Sequence, residues 1–203
     1  MIYKRMKGTI METIVQAKRV LEIFKEMSQI PRESGNEKGI SDYIVNFAKN
    51  LGLEAHQDEI LNVVIKKDAS PGYESRPSII IQGHIDMVCV KDHASNHDFS
   101  KDPIANIIEG EWMRADHTTL GADNGMGAAM MLAILEDESQ QHGPMQLLFT
   151  TNEETGMDGA FALKEGQVTG DYLINLDTEV EHDFTVSCAG GCHVHVNIPL
   201  LRD

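Results

Sequence analysis

The 203 residues carry 32 Asp and Glu against 17 Lys and Arg, a formal charge of −15, which repels phosphate backbones and excludes nucleic acid as an expected partner. Apolar residues make up 41% of the chain, enough for a real core, and no apolar run approaches the roughly 18 to 20 residues that a membrane span needs. Three cysteines build no disulfide framework, and the basic N-terminus MIYKRMKGTIMETIVQAKRV lacks the apolar stretch and small-residue cleavage site of a secretory signal, so the expected location is the cytoplasm.

Residues 1–11, with Met1, Met6 and Met11 each a candidate start, are expected to be a loose tail. Ile14, Ala17, Val20, Leu21, Ile23, Phe24 and Met27 recur at helical spacing and predict an amphipathic helix over 12–28. IPRESGNE follows as a loop punctuated by Pro31 and Gly35. A second helix is predicted over 37–51, with Ile40, Tyr43, Ile44, Phe47 and Ala48 as its apolar stripe and Gly52 closing it. LNVVIK at 61–66 reads as a strand. PSIIIQGHID at 77–86 reads as a buried strand ending in polar side chains. The stretch 94–105 is polar and irregular, and IIEGEWMRAD predicts a hairpin around Glu109-Gly110. Residues 124–136 predict a buried helix, MQLLFTT a second buried strand, 156–164 a short helix and DYLINLD a third buried strand. Strands alternating with helices predict a three-layer α/β/α sandwich on a mostly parallel central sheet. After Asp183, TVSCAGGCHVHVNIPL alternates apolar and polar residues and reads as the start of a different sheet.

In such folds sites gather at the carboxyl ends of the strands. Three predicted strand ends carry polar clusters: Gly83-His84-Ile85-Asp86, Thr151-Asn152-Glu153-Glu154 and Asn175-Leu176-Asp177. Gly121-Ala122-Asp123-Asn124-Gly125 lies just before the buried helix. Each cluster alone is ordinary: a strand-end histidine is more often structural, and paired glutamates on a loop are usually solvated. Together they match what a co-catalytic zinc site needs, namely imidazole and carboxylate ligands, one bridging carboxylate and a free carboxylate for protons. His84, Asp123, Glu154 and Asp177 are the candidate ligands, and Glu153 the candidate base. Alternation puts His84 and Asp86 on the same face, where Asp86 can accept the second ring N–H of His84. The glycines around Asp123 permit the close backbone approach that a bridging carboxylate requires.

GHIDMV, TTLGADNGMGAAMMLAIL, TNEETGMDGAF and LINLDTE, in this order, resemble the zinc-dependent aminoacylase/carboxypeptidase/dipeptidase superfamily. IPRESGNEKGISDYI, QGHIDMV, TTLGADNG, EETGMDGAF and SCAGG are most similar to the bacterial aminoacylhistidine dipeptidases, over about residues 12–195. The resemblance implies hydrolysis of small Xaa-His dipeptides with two zinc ions, although N/O ligands also accept cobalt or manganese. It implies that His84 and Asp177 hold one ion and Glu154 the other. Asp123 bridges them and has a cis peptide bond to Asn124. Glu153 acts as general base on a metal-activated bridging water, and Asp86 orients His84. It further implies that 12–185 is the N-terminal part of a catalytic domain, that 186–203 begins a lid and dimerisation domain, and that a last histidine ligand lies beyond Asp203.

Two alternatives stay open: a related deacylase, against which SCAGG and GMDGAF speak by resemblance, and a catalytically incomplete remnant that keeps the fold and a partial metal site. Uncovered apolar surface would then favour self-association, so a homo-oligomer is an open partner alongside the dipeptide. His117 stands where the resemblance expects glycine and reads as a loop replacement without a role. Cys188, Cys192, His193 and His195 mimic a metal cluster at the wrong spacing. His93, His97 and His142 read as solvated, Cys89 as a structural thiol, and Met126, Met130 and Met131 as helix core.

Overall fold

The computed structural model describes residues 17–178, 180, 183–187, 190 and 194–199. The expected tail at 1–11, the first turn of the predicted N-terminal helix, and Cys188, Cys192 and His193 lie outside the described residues. Helix α1 covers residues 17–27. It is followed by α2 (Lys38–Asn50), β1 (Glu54–Gln57), β2 (Val63–Lys67), β3 (Ile79–His84), β4 (Asn106–Glu109) and β5 (Trp112–Ala115). Then come α3 (Ala122–Glu136), β6 (Met145–Thr150), α4 (Glu153–Gly156), α5 (Asp158–Phe161) and β7 (Tyr172–Asn175).

Five strands form one sheet in the order β1-β2-β6-β3-β7, and β4-β5 stand apart as a hairpin that turns at Gly110 with φ +64°. The sheet is mixed. β6, β3 and β7 run parallel, whereas β2 is antiparallel to β6 and β1 to β2. The parallel half matters for function, because parallel strands end on the same side. His84 is level with Thr150, and Gln82 with Asn175. The ladder continues one step past the named strands, with the Ile85 N–H donating to Thr150 and the Leu176 N–H to Gln82.

Alternation along the strands sorts the side chains into two layers. Val63, Ile65, Ile81, Met145, Leu147 and Phe149 belong to the main core with Ile23, Phe24 and Met27 of α1, Ile40, Ile44 and Ala48 of α2, and Met131, Leu132 and Leu135 of α3. The other face carries a smaller cluster, Val64, Ile80 and Leu148, packed against Leu163 and Val168. Among the described residues, Leu163 and Val168 cover this second face. The α1 and α2 stripes lie in the core as their spacing predicts. Gly52 closes α2 at φ +74°, its N–H donating to Lys49. Of the three methionines in α3, Met131 is buried, Met126 partly so, and Met130 faces out.

Four features differ from the sequence expectation. β7, expected to be a buried strand, is an exposed one, because it lies at the sheet edge with β3 as its one strand neighbour among the described residues. β1 was not predicted, because EAHQ has no apolar alternation; it is an edge strand held by its backbone ladder to β2. The short helix predicted over 156–164 starts earlier, at Glu153, and is broken into two turns at Met157, whose φ is +57°. Among the described residues of 183–199 no strand forms. No helix is long and apolar enough to cross a membrane among the described residues.

Leu147 is fully buried at the centre of the sheet, whereas Ile174 on the β7 edge is 44% exposed. Leu147→Ala should cost about 2–5 kcal/mol in urea unfolding, and Ile174→Ala about 0.5 kcal/mol or less. Equal losses would contradict this placement of β6 and β7.

Candidate metal centre

His84 closes β3 and is 1% exposed. Its Nδ1 lies 3.2 Å from Asp86 Oδ1, which leaves Nε2 to face a ring of carboxylates. Nε2 is 3.1 Å from Asp123 Oδ1, 3.9 Å from Glu153 Oε2 and 4.0 Å from Asp177 Oδ2. Two triads have ligand atoms within 4.8 Å of one another: His84, Asp123 and Glu154, and His84, Glu153 and Asp177. All five residues named from the sequence as ligands or base thus converge on one place. Both glutamates fall within ligand range of His84, so the geometry does not separate a ligand from a base. His84 is the one imidazole in either group among the described residues.

The donor set suits a cation. Burial pushes the His84 imidazolium down, but the Asp86 hydrogen bond and the charges of Asp86 and Asp177 outweigh it and lift its pKa to about 9. The carboxyls of Glu153 and Glu154 are raised, first by burial and then by neighbouring carboxylates, against the pull of His84. Such a cluster of like charges is relieved by a divalent ion, and imidazole with carboxylate oxygens suits zinc, cobalt or manganese.

Asp86 organises the surroundings. It is fully buried and accepts hydrogen bonds from the Ser34 hydroxyl at 2.7 Å, the Glu153 N–H at 3.1 Å and the Glu154 N–H at 3.2 Å. Burial raises its carboxyl, but His84, Ser34 and the Glu153 N–H together hold it down at about 2. The glutamate turn is also gripped from its other side. Buried Asn62 accepts the Thr151 N–H at 3.1 Å and donates to the Gly159 carbonyl at 2.9 Å. Glu37 accepts the Asn152 N–H at 3.0 Å. Asn152 itself is left-handed, with φ +53°, which turns the chain sharply from β6 into α4.

Asp123 enters from the other side. Gly121 has φ +70° and caps α3, and Asp123 is extended rather than helical, with ψ 116°. The Asp123–Asn124 peptide bond is cis. The Asp123 side chain, 60% exposed, stands across from His84.

Arg32, Ser34, Glu37 and Asn62 were not singled out by the sequence reading. The first three sit in and just after a segment read as loop punctuation, although IPRESGNE was part of the family resemblance. Asn62 sat inside a predicted strand. A polar residue in a loop carries no periodic signal, so only their buried contacts reveal them.

The remaining candidates lie elsewhere. His117 is exposed at φ +57°, with its Nδ1 2.6 Å from Asp92 Oδ2, so it replaces the expected glycine in a left-handed position. His93 is exposed, whereas His97 and His142 are half-buried rather than solvated: His97 packs edge-on against Phe99, and His142 Nδ1 lies 2.8 Å from the Gly143 carbonyl. Cys89 packs beside Met87, Ile104 and Ala115, and burial lifts its thiol to about 11.

A profile described as peptidase family M20/M25/M40 matches residues 80–198. The cytosol non-specific dipeptidase of Escherichia coli (strain K12) is 44% identical over 182 residues, covering 90% of this chain and 38% of that protein. A crystal structure of aminoacylhistidine dipeptidase from Vibrio alginolyticus superposes with a TM-score of 0.78 at 44% identity, covering 80% of this chain and 33% of that one. A tripeptidase from Staphylococcus aureus superposes with a TM-score of 0.68 at 26% identity, covering 80% of this chain and 44% of that one. The chain therefore spans less than half the length of each of these relatives.

Because its thiol is held near 11, Cys89 should react with a disulfide reagent at pH 8 roughly a hundredfold more slowly than an exposed thiol, since the thiolate is the reactive form. The rate is read in a chain with Cys188 and Cys192 changed to serine. A rate equal to that of free cysteine would show an activated thiol instead.

Proposed function

The chain belongs to peptidase family M20/M25/M40, and we propose that it forms the ion-holding part of a cytoplasmic metallodipeptidase acting on small Xaa-His dipeptides. The observation that carries this reading is the convergence of His84, Asp123, Glu153, Glu154 and Asp177 on one place. The likeness to an aminoacylhistidine dipeptidase supports Xaa-His substrates, and the likeness to a non-specific dipeptidase supports dipeptides without choosing among them. On this reading residues 12–185 belong to the catalytic domain and 186–203 begin a lid.

His84 and Asp177 would hold one zinc ion, Glu154 the other, and Asp123 would bridge the two. When bound, such ions polarise the scissile carbonyl and make water a nucleophile near neutral pH. Asp86 fixes the ring of His84 through Nδ1, so that Nε2 is the nitrogen that would give up its proton and hold an ion. Its grip on the Glu153 and Glu154 N–H groups holds both carboxylates to the same frame. Glu153 then takes the proton from the attacking water on its carboxylate and returns it to the leaving amine. Burial and the surrounding carboxylates raise its proton affinity, which favours holding that proton between the two transfers. The separate roles of Glu153 and Glu154 rest on the family resemblance.

Metal content and dipeptide hydrolysis of zinc-equilibrated protein test these roles together. Glu154→Gln should lose bound zinc. Glu153→Gln should keep it while turnover of L-carnosine falls about 10²- to 10⁴-fold. Loss of zinc in both variants alike would make Glu153 a ligand and overturn its role as base. Equal turnover of Xaa-His and Xaa-Ala dipeptides would overturn the substrate class, and absence of zinc from the wild-type protein would overturn the metal centre.

A further inference from the structure

Arg32 lies in the loop between α1 and α2, yet it is only 2% exposed. A guanidinium taken out of water is costly unless its N–H groups find acceptors. Among the described residues, the acceptors of Arg32 are three main-chain carbonyls rather than a carboxylate. Nη1 donates to Ile85 and to Asp86, at 3.1 Å each, and Nη2 donates to Gly121. Ile85 and Asp86 follow His84 directly, and Gly121 stands two residues before Asp123. One side chain thus ties together the two segments that deliver His84 and Asp123.

The slot it occupies is built for it. A Cβ added at Gly121 or at Gly125 would collide with Nη2, so the Asp123 turn is flanked on both sides by glycines that clear the guanidinium. Burial lowers its pKa to about 10, while the charges of Asp86, Asp123 and Glu154 act to raise it. It therefore stays a cation at neutral pH, set behind an acidic cluster.

We infer that Arg32 is a positioning residue for the metal centre: it locks the His84 strand end to the Asp123 turn, and so sets how the imidazole and the shared carboxylate meet an ion. The inference rests on the metal-centre reading above. The planar fork is what the task needs, because two nitrogens point to two segments at once. A lysine keeps the charge but has one nitrogen, and it cannot span both.

Cobalt(II) titration of the wild-type chain and of Arg32→Lys tests this, with the visible d–d absorption reporting coordination and circular dichroism and a melting curve reporting the fold. Arg32→Lys should fold, bind cobalt about 10- to 100-fold more weakly and show an altered d–d band. A folded Arg32→Lys chain with wild-type affinity and an unchanged band would overturn the inference and leave the metal centre standing. A variant that no longer melts cooperatively would assign Arg32 to folding alone, and overturn it as well. No cobalt uptake by the wild-type chain would overturn the metal centre, and this inference with it.

Discussion

The charge on Asp86 is fully buried, and a buried carboxylate is tolerable only when its lone pairs are satisfied. Its partners come from three places: Ser34 before α2, His84 at the end of β3, and the first two N–H groups of α4. Meeting the needs of one carboxylate therefore fixes the relative position of three chain segments. Two of those segments carry candidate ligands. The orientation of the His84 ring and the direction of both glutamates follow from the same constraint.

Around this hub the fold supplies direction and Arg32 supplies spacing. The parallel half of the sheet brings the ends of β3, β6 and β7 to one edge, and the crossover through α3 returns the chain there a fourth time, with Asp123 at its start. The antiparallel half has a different task. β2 flanks β6 and leads back through Asn62, which grips the glutamate turn from behind. The mixed sheet thus places ligand candidates on one half and a brace on the other.

Much of this was legible in the sequence. The strands β2, β3 and β6 showed as short apolar runs because their side chains enter a dry core, β7 showed as an apolar run although it is an exposed edge strand, and α2 showed through its stripe. The candidate ligands showed because polar residues at the end of an apolar run are unusual, and because four motifs stood in a familiar order. The bracing residues did not show. Arg32 and Ser34 belong to a loop, where hydrophobic periodicity says nothing, and their importance lies in partners more than fifty positions away. β1 was invisible for a different reason: EAHQ lacks apolar alternation, and it is placed by its backbone ladder to β2, by Ala55 against the core and by the hydrogen bonds of Gln57 to α2. The two-part helix at 153–161 was misplaced because left-handed Asn152 and Met157 set its limits, and neither residue type announces a break as glycine or proline does.

The sheet topology also has a kinetic side. Apart from β1–β2 and the β4–β5 hairpin, every ladder joins segments far apart along the chain. Loop closure must come before such contacts are rewarded, which slows folding. The place where His84 meets Asp123, Glu154 and Asp177 cannot exist until these distant strands have aligned. An ion that recognises it therefore has no site on the unfolded chain and acts on the native state alone, so by mass action the apparent stability of the fold would rise with the free concentration of that ion.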